Sequence, residues 1–277
     1  MDPCQAPYRD LFDALSASDR EEDVFQTLLR PWLDAHSEER DWLKAFSHST
    51  SPAPVAIEDS WRLYALSRVN QVLLLAFQRN EGDGWEGPNL GLPDYLAFMT
   101  GLGCRVADET DYSPFFHEIV EVAEEKRTLF SQRKAVELAR VDWPALMLGT
   151  MLFSRAGVAV SCARGALHAE IATSSTLYWE RWRKHRRTSD LSDGWGSNSQ
   201  WRTPFRRDHI VGEELLFNAD GKHDLAAPGL PASEYDDLTV AERIELLTHR
   251  CFVRCEKPDD DFHPYGDRIQ LPRGFQP

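Results

Sequence analysis

Charge is distributed unevenly along this chain, and the distribution limits how it can fold. Residues 1–125 hold 9 basic and 24 acidic residues, residues 126–207 hold 15 and 6, and residues 208–277 hold 7 and 15. A basic island of net charge +9 therefore lies inside a protein of net charge −14. A compact fold must place those cations against carboxylates or leave them in solvent. The expectation is that the island's arginines neutralise the acidic first half, leaving a residual acidic face. The total charge excludes bulk attraction to nucleic acid or anionic membrane, since both repel a polyanion.

With 42% hydrophobic residues, 11% aromatic residues and nine tryptophans among 277, the chain is too apolar to stay disordered and long enough for a large core. Its longest apolar stretch, Ala145–Phe153, is far short of the ~20 residues a bilayer span needs and reads as a buried helix from Trp143 to Phe153. The N-terminus is neither basic nor apolar, so no secretory signal is expected. Five scattered cysteines make no disulfide framework, which points to a reducing cytoplasm. Cys251 and Cys255 are expected to be a buried structural pair.

Periodicity and capping signals give an α+β class, with a mainly helical N-terminal part followed by a mixed part with an antiparallel sheet. Residues 1–105 form the helical part and residues 106–277 the α+β part, as two units or within a single domain. Helices are expected from a Ser18/Glu21 capping box toward Trp32, over Glu38–Phe46, over Ile57–Arg79 with Ser60 as a late cap, and over Asp94–Leu102. Val72–Phe77 is apolar nearly all round, which makes its helix central. Strands are expected at Phe115–Val122, at Ile210–Phe217, at Cys251–Cys255 and in a hairpin of Gly157–Cys162 with Leu167–Thr173. A helix is expected over Thr176–Arg187, and another over Thr239–Thr248 behind a Thr239/Glu242 capping box.

Four clusters carry functional groups. His117 and Glu121 are expected to project from one face of their element, where an imidazole and a carboxylate suit a divalent cation; the alternative is a hydrogen-bonded pair. Position 121 is Glu, so the H-E-x-x-H zinc motif is absent. The segment 194–209 combines flat apolar rings (Trp195, Trp201), a donor-acceptor side chain (Asn198), three guanidinium groups (Arg202, Arg206, Arg207) and Asp208 with His209. It could hold an anion or grip an acidic surface, or act internally by neutralising the acidic half. It carries no phosphate-loop or nucleophile-elbow spacing. The basic and tryptophan-rich stretch 179–187 suits an RNA contact but more simply a solvated or salt-bridged face. The aspartates at 259–261 read as an acidic surface loop.

No motif names a reaction, and no cofactor is implied. The expected function is that of a cytoplasmic acidic interaction protein that binds and neutralises a basic protein partner. A toxin or nuclease would be such a partner, and the chain would act as an immunity protein or antitoxin does. The competing expectation is a metal-assisted hydrolase or small-anion binder that uses residues 194–209 with His117 and Glu121.

Overall fold

The computed structural model describes residues 6–79, 85, 87–125, 135–194, 199–228, 238–256 and 262–275. The chain opens with α1 (Ala6–Ser16), a π turn (Phe25–Leu29) leading into α2 (Arg30–Ala35), α3 (Ser37–Ser49), α4 (Ile57–Leu74) and α5 (Leu92–Gly101). The mixed part follows, with β1 (Arg105–Val106), β2 (His117–Glu125), β3 (Val136–Trp143), β4 (Leu146–Leu148), β5 (Met151–Ser154), β6 (Ala156–Ala163) and α6 (Ala169–Ser174). It ends with β7 (Leu177–Tyr178), β8 (Thr188–Ser189), β9 (Asp208–Val211), β10 (Glu214–Phe217), β11 (His223–Asp224), α7 (Val240–His249) and β12 (Asp267–Pro272). The chain is thus α+β, helices first.

One sheet has the order β1-β4-β5-β9-β10-β12-β11, antiparallel except for the β11–β12 edge. A second has the order β2-β6-β3, with β2 parallel to β6 and β3 antiparallel to it. Helix α4 is buried along nearly its whole length, as its apolar surface requires. Two hydrophobic clusters meet at the large sheet. Leu146, Leu148, Met151 and Phe153 pack with the helices, while Met147 and Leu152 pack with the second cluster.

That alternation corrects the expected helix over Trp143–Phe153. Both faces of β4 and β5 are covered, so a strand pair there reads as one continuous apolar run, as a buried helix would. The turn between the strands needs Gly149, at φ +58°, where a Cβ would overlap the Ser47 carbonyl and the Thr50 hydroxyl.

Other expected elements also change. Ser18 donates to the Leu15 carbonyl at the end of α1 and opens no helix; Asp23 accepts from the Gln26 amide 3.2 Å away at the start of the next. Pro31 lies just after the π turn, which accommodates its missing N–H. Ser60 accepts from the Phe205 amide at 2.9 Å instead of capping α4. Residues 167–173 supply part of α6, not a second hairpin strand. Ile210–Phe217 spans a β9–β10 hairpin turned at Gly212, φ +61°.

Thr176–Arg187 is not helical. Gln71 on α4 and Gln78, just after the 3-10 turn (Leu75–Phe77) that follows α4, accept from the amides of Arg181 and Lys184 at 2.8 and 2.9 Å, and Trp179 has φ +61°. Cys251–Cys255 is not a strand, because one Glu245 oxygen accepts from the successive amides of Val253, Arg254 and Cys255 at 2.7, 2.7 and 3.2 Å. Successive amides of a strand point alternately to opposite sides and could not converge so. Cys251 is buried and Cys255 partly so, and both are free thiols. Among the described residues, no helix is long and apolar enough to cross a membrane.

Candidate functional site

Five of the ten described arginines of the basic island turn inward. Arg155, Arg183, Arg186, Arg206 and Arg207 are all buried. Their carboxylate partners belong mostly to the mixed part. Arg183 holds Glu118 through Nε and Nη2 at 2.8 and 2.9 Å, and approaches Glu180 at 3.2 Å. Arg250 joins Glu180 at 2.9 Å to Asp208 at 3.0 Å, and Arg206 donates to Asp208 at 2.8 Å. A chain of buried ion pairs therefore ties β2, the 179–183 segment, the end of α7 and β9 together. Arg207 reaches Asp220 with two bonds of 2.7 Å and caps the Ser51 and Ala53 carbonyls at 3.2 and 2.9 Å. Arg186 donates to the Ala172 and Ser175 carbonyls at the end of α6, a favourable place for a cation.

Electrostatics inside the network follow from burial and pairing. The guanidinium groups hold Glu118 and Asp208 at about 2 against the opposing effect of desolvation. Desolvation pushes Arg206 down to about 9 and Arg155 down to about 10, with neighbouring guanidinium groups acting in the same direction. Arg206 Nη1 and Arg250 Nε have no hydrogen-bond partner among the described residues. Arg206 sits over the Trp179 ring, its Cζ 4.0 Å from the ring centroid. Both arginines line a small cavity of about 30 Å³, large enough to admit water, shared with Tyr64, Asn70 and Asp190.

His117 and Glu121 do not converge. A bulge between Ile119 and Glu121 shifts the register, so His117 pairs with Ala156 and Glu121 with Ala159, an odd separation that puts them on opposite faces. His117 is buried, its Nδ1 3.0 Å from both the amide and the carbonyl of Ser113, and burial holds it down at about 4. Glu121 is half-exposed and joins Arg79 at 3.0 Å and Arg140 at 2.8 Å. His209 is buried on β9 with Nδ1 3.3 Å from Thr150 Oγ1. Among the described residues, no group of three or more His, Cys, Asp or Glu is placed to hold a metal ion.

In the 194–209 segment, Trp195 and Asn198 lie outside the described residues. Trp201 is buried against Phe12, with Arg68 and Arg9 over its ring. Arg202 is exposed over Trp61 at 5.7 Å. The segment thus fastens the helices to the sheet. The aspartates at 259–261 are outside the described residues. No family model, curated protein or solved structure matches this chain.

The carboxylates of the first helices face solvent. Between residues 10 and 58, nine Asp and Glu are exposed, among them Asp10, Asp13, Asp34, Glu38 and Asp41, against three exposed basic residues, Arg20, Arg30 and Lys44. In the same stretch Glu39 is buried on Arg62 and on the Tyr8 hydroxyl, at 2.6 and 2.7 Å. The residues missed in sequence are Glu118, a buried carboxylate on β2, and Glu180, whose partners lie 3 and 70 positions away.

Proposed function

We propose that this protein is an acidic interaction protein that binds and neutralises a basic protein, such as a toxin or nuclease, in the manner of an immunity protein or antitoxin in a reducing cytoplasm. The observation that carries this reading is the excess of solvent-facing carboxylates on the helical part, while five arginines of the basic island are buried. Exposed carboxylates in excess over cations make a negative field, which accelerates encounter with a cationic surface and orients it. A nuclease cleft, built to attract phosphate, is such a surface.

The test is affinity capture from source cells, followed by association kinetics with the recovered partner. A basic protein is expected, with an association rate that falls at least tenfold between about 50 mM and about 0.5 M salt. Recovery of no basic protein, or a rate indifferent to salt, would overturn the reading.

A further inference from the structure

A second surface, formed by residues of the mixed part, differs in chemistry from the helices' carboxylates. A groove of about 670 Å³ runs between residues 204–206, the 218–223 turn and the 263–267 turn. That volume is in the range of small-molecule sites. Its walls include Trp179, Tyr265 and His263. Tyr265 meets the Trp179 ring edge-on at 5.2 Å and the His263 ring at 5.8 Å.

Backbone conformation marks the same place. Among the described residues, the four non-glycine residues with positive φ are Trp179, Asn218, Arg250 and His263. Three of them wall the groove, and the fourth carries a guanidinium of the adjoining cavity. Arg250 ends α7 and Asn218 follows β10, where left-handed residues are common. For Trp179 and His263, at φ 61° and 42°, the conformation is costly and needs support from its surroundings.

Once its internal pairs are set aside, the charge left in the groove is that of Lys222, since Arg206 is held by Asp208 at 2.8 Å. Asp220 is held by Arg207 through two bonds, and Asp267 by Arg243 through bonds of 2.9 and 2.6 Å. Lys222 is exposed at the rim and makes no ion pair among the described residues. His223 lies beside it with Nδ1 3.6 Å from Asp267, and Arg206 sits over the Trp179 ring.

We propose that this groove binds a small planar molecule bearing an oxyanion, either carboxylate or phosphate. Its ring lies against Tyr265 and His263, and its anionic group rests on Lys222. The held backbone at Trp179 and His263 presents those rings in advance, which lowers the ordering cost of binding. The site is separate from the exposed helical carboxylates and stands whether or not a basic protein binds there.

Calorimetry and tryptophan fluorescence on the full chain test it with four probes: adenosine monophosphate, benzoate, adenosine and inorganic phosphate. At least one of the two ring-bearing anions is expected to bind with Kd below about 1 mM, more tightly than adenosine or phosphate alone. Which of the two binds separates phosphate from carboxylate recognition. Lys222→Gln, at an exposed position, is expected to keep the melting temperature and weaken that binding about tenfold. Failure of both ring-bearing anions to bind would overturn the proposal. So would binding unchanged by Lys222→Gln, or phosphate alone binding as tightly as the ring-bearing anion.

Discussion

Glu118 and Arg183 form a two-bonded ion pair, 2.8 and 2.9 Å, with each side chain almost wholly shielded from water. It anchors the 179–183 segment onto the small sheet and starts the relay through Glu180 and Arg250 to Asp208. Removing one partner leaves a buried charge without compensation. Glu118→Gln is therefore expected to destabilise the fold by about 3–5 kcal/mol, read from urea unfolding. A loss under about 1 kcal/mol would show that water or another anion takes over the role of Glu118.

Three buried imidazoles make stability depend on pH. Tyr112 stacks against His117 and His249, and its hydroxyl is 3.0 Å from His249 Nδ1. Desolvation lowers His117 and His209 to about 4 and His249 to about 3. Each is below its unfolded value of about 6.5, so the unfolded chain binds more protons. Stability contributed by these groups is present above about pH 6.5 and is lost as pH falls toward 4. Unfolding free energy measured across that window should drop steeply, and His249→Gln should reduce the slope by close to one proton, about 1.4 kcal/mol per pH unit. A flat profile between pH 6.5 and 4 contradicts this. Glu118 and Asp208 act in a lower window, losing their contribution only as pH falls below about 4 toward 2.

Signals confined to a few neighbouring residues were legible in sequence. Thr239 and Glu242 form the capping box their spacing predicts, with both reciprocal bonds present, and α5 gives way to Gly103 at φ +95°. Segments whose environment is set by distant chain were not. The apolar run at residues 145–153 has the same pattern whether it is a helix buried all round or strands covered on both sides. Residues 176–187 have helical composition, but the side chains of Gln71 and Gln78, more than a hundred positions away, take two of their amides. The same limit applies to the site. Arg206 was visible as a notable cation, yet its Trp179 neighbour and the groove beyond it depend on contacts from residues 218–223 and 263–267. The outward parity of His117 and Glu121 failed for a local reason, the bulge at residue 120, which no residue in that stretch announces.

Gly157 on β6 faces the Trp143 ring so closely that a Cβ would overlap it. Trp143 is buried and donates to the Arg155 carbonyl at 2.9 Å, so it cannot move without breaking that bond. Gly157→Ala is expected to destabilise the protein by about 1–3 kcal/mol through overpacking. The double change Gly157→Ala with Trp143→Phe should recover part of that loss. Additive losses in the cycle would show that the ring is not what the glycine accommodates.

If the helical carboxylates steer a basic partner, reversing them should slow encounter without loosening the complex. Asp13 and Asp41 are exposed and lie within α1 and α3, away from the first turns, where a lysine would oppose the helix dipole. The pair Asp13→Lys and Asp41→Lys changes the net charge by four and leaves the core untouched. Stopped-flow measurements at low salt should give an association rate reduced by about tenfold or more, with dissociation changed much less. The control is Glu213→Lys with Glu214→Lys on the exposed β9–β10 turn, which changes the net charge equally. Net charge alone would slow both variants alike. A slowing specific to the helical pair assigns the steering to that surface, and equal slowing removes it.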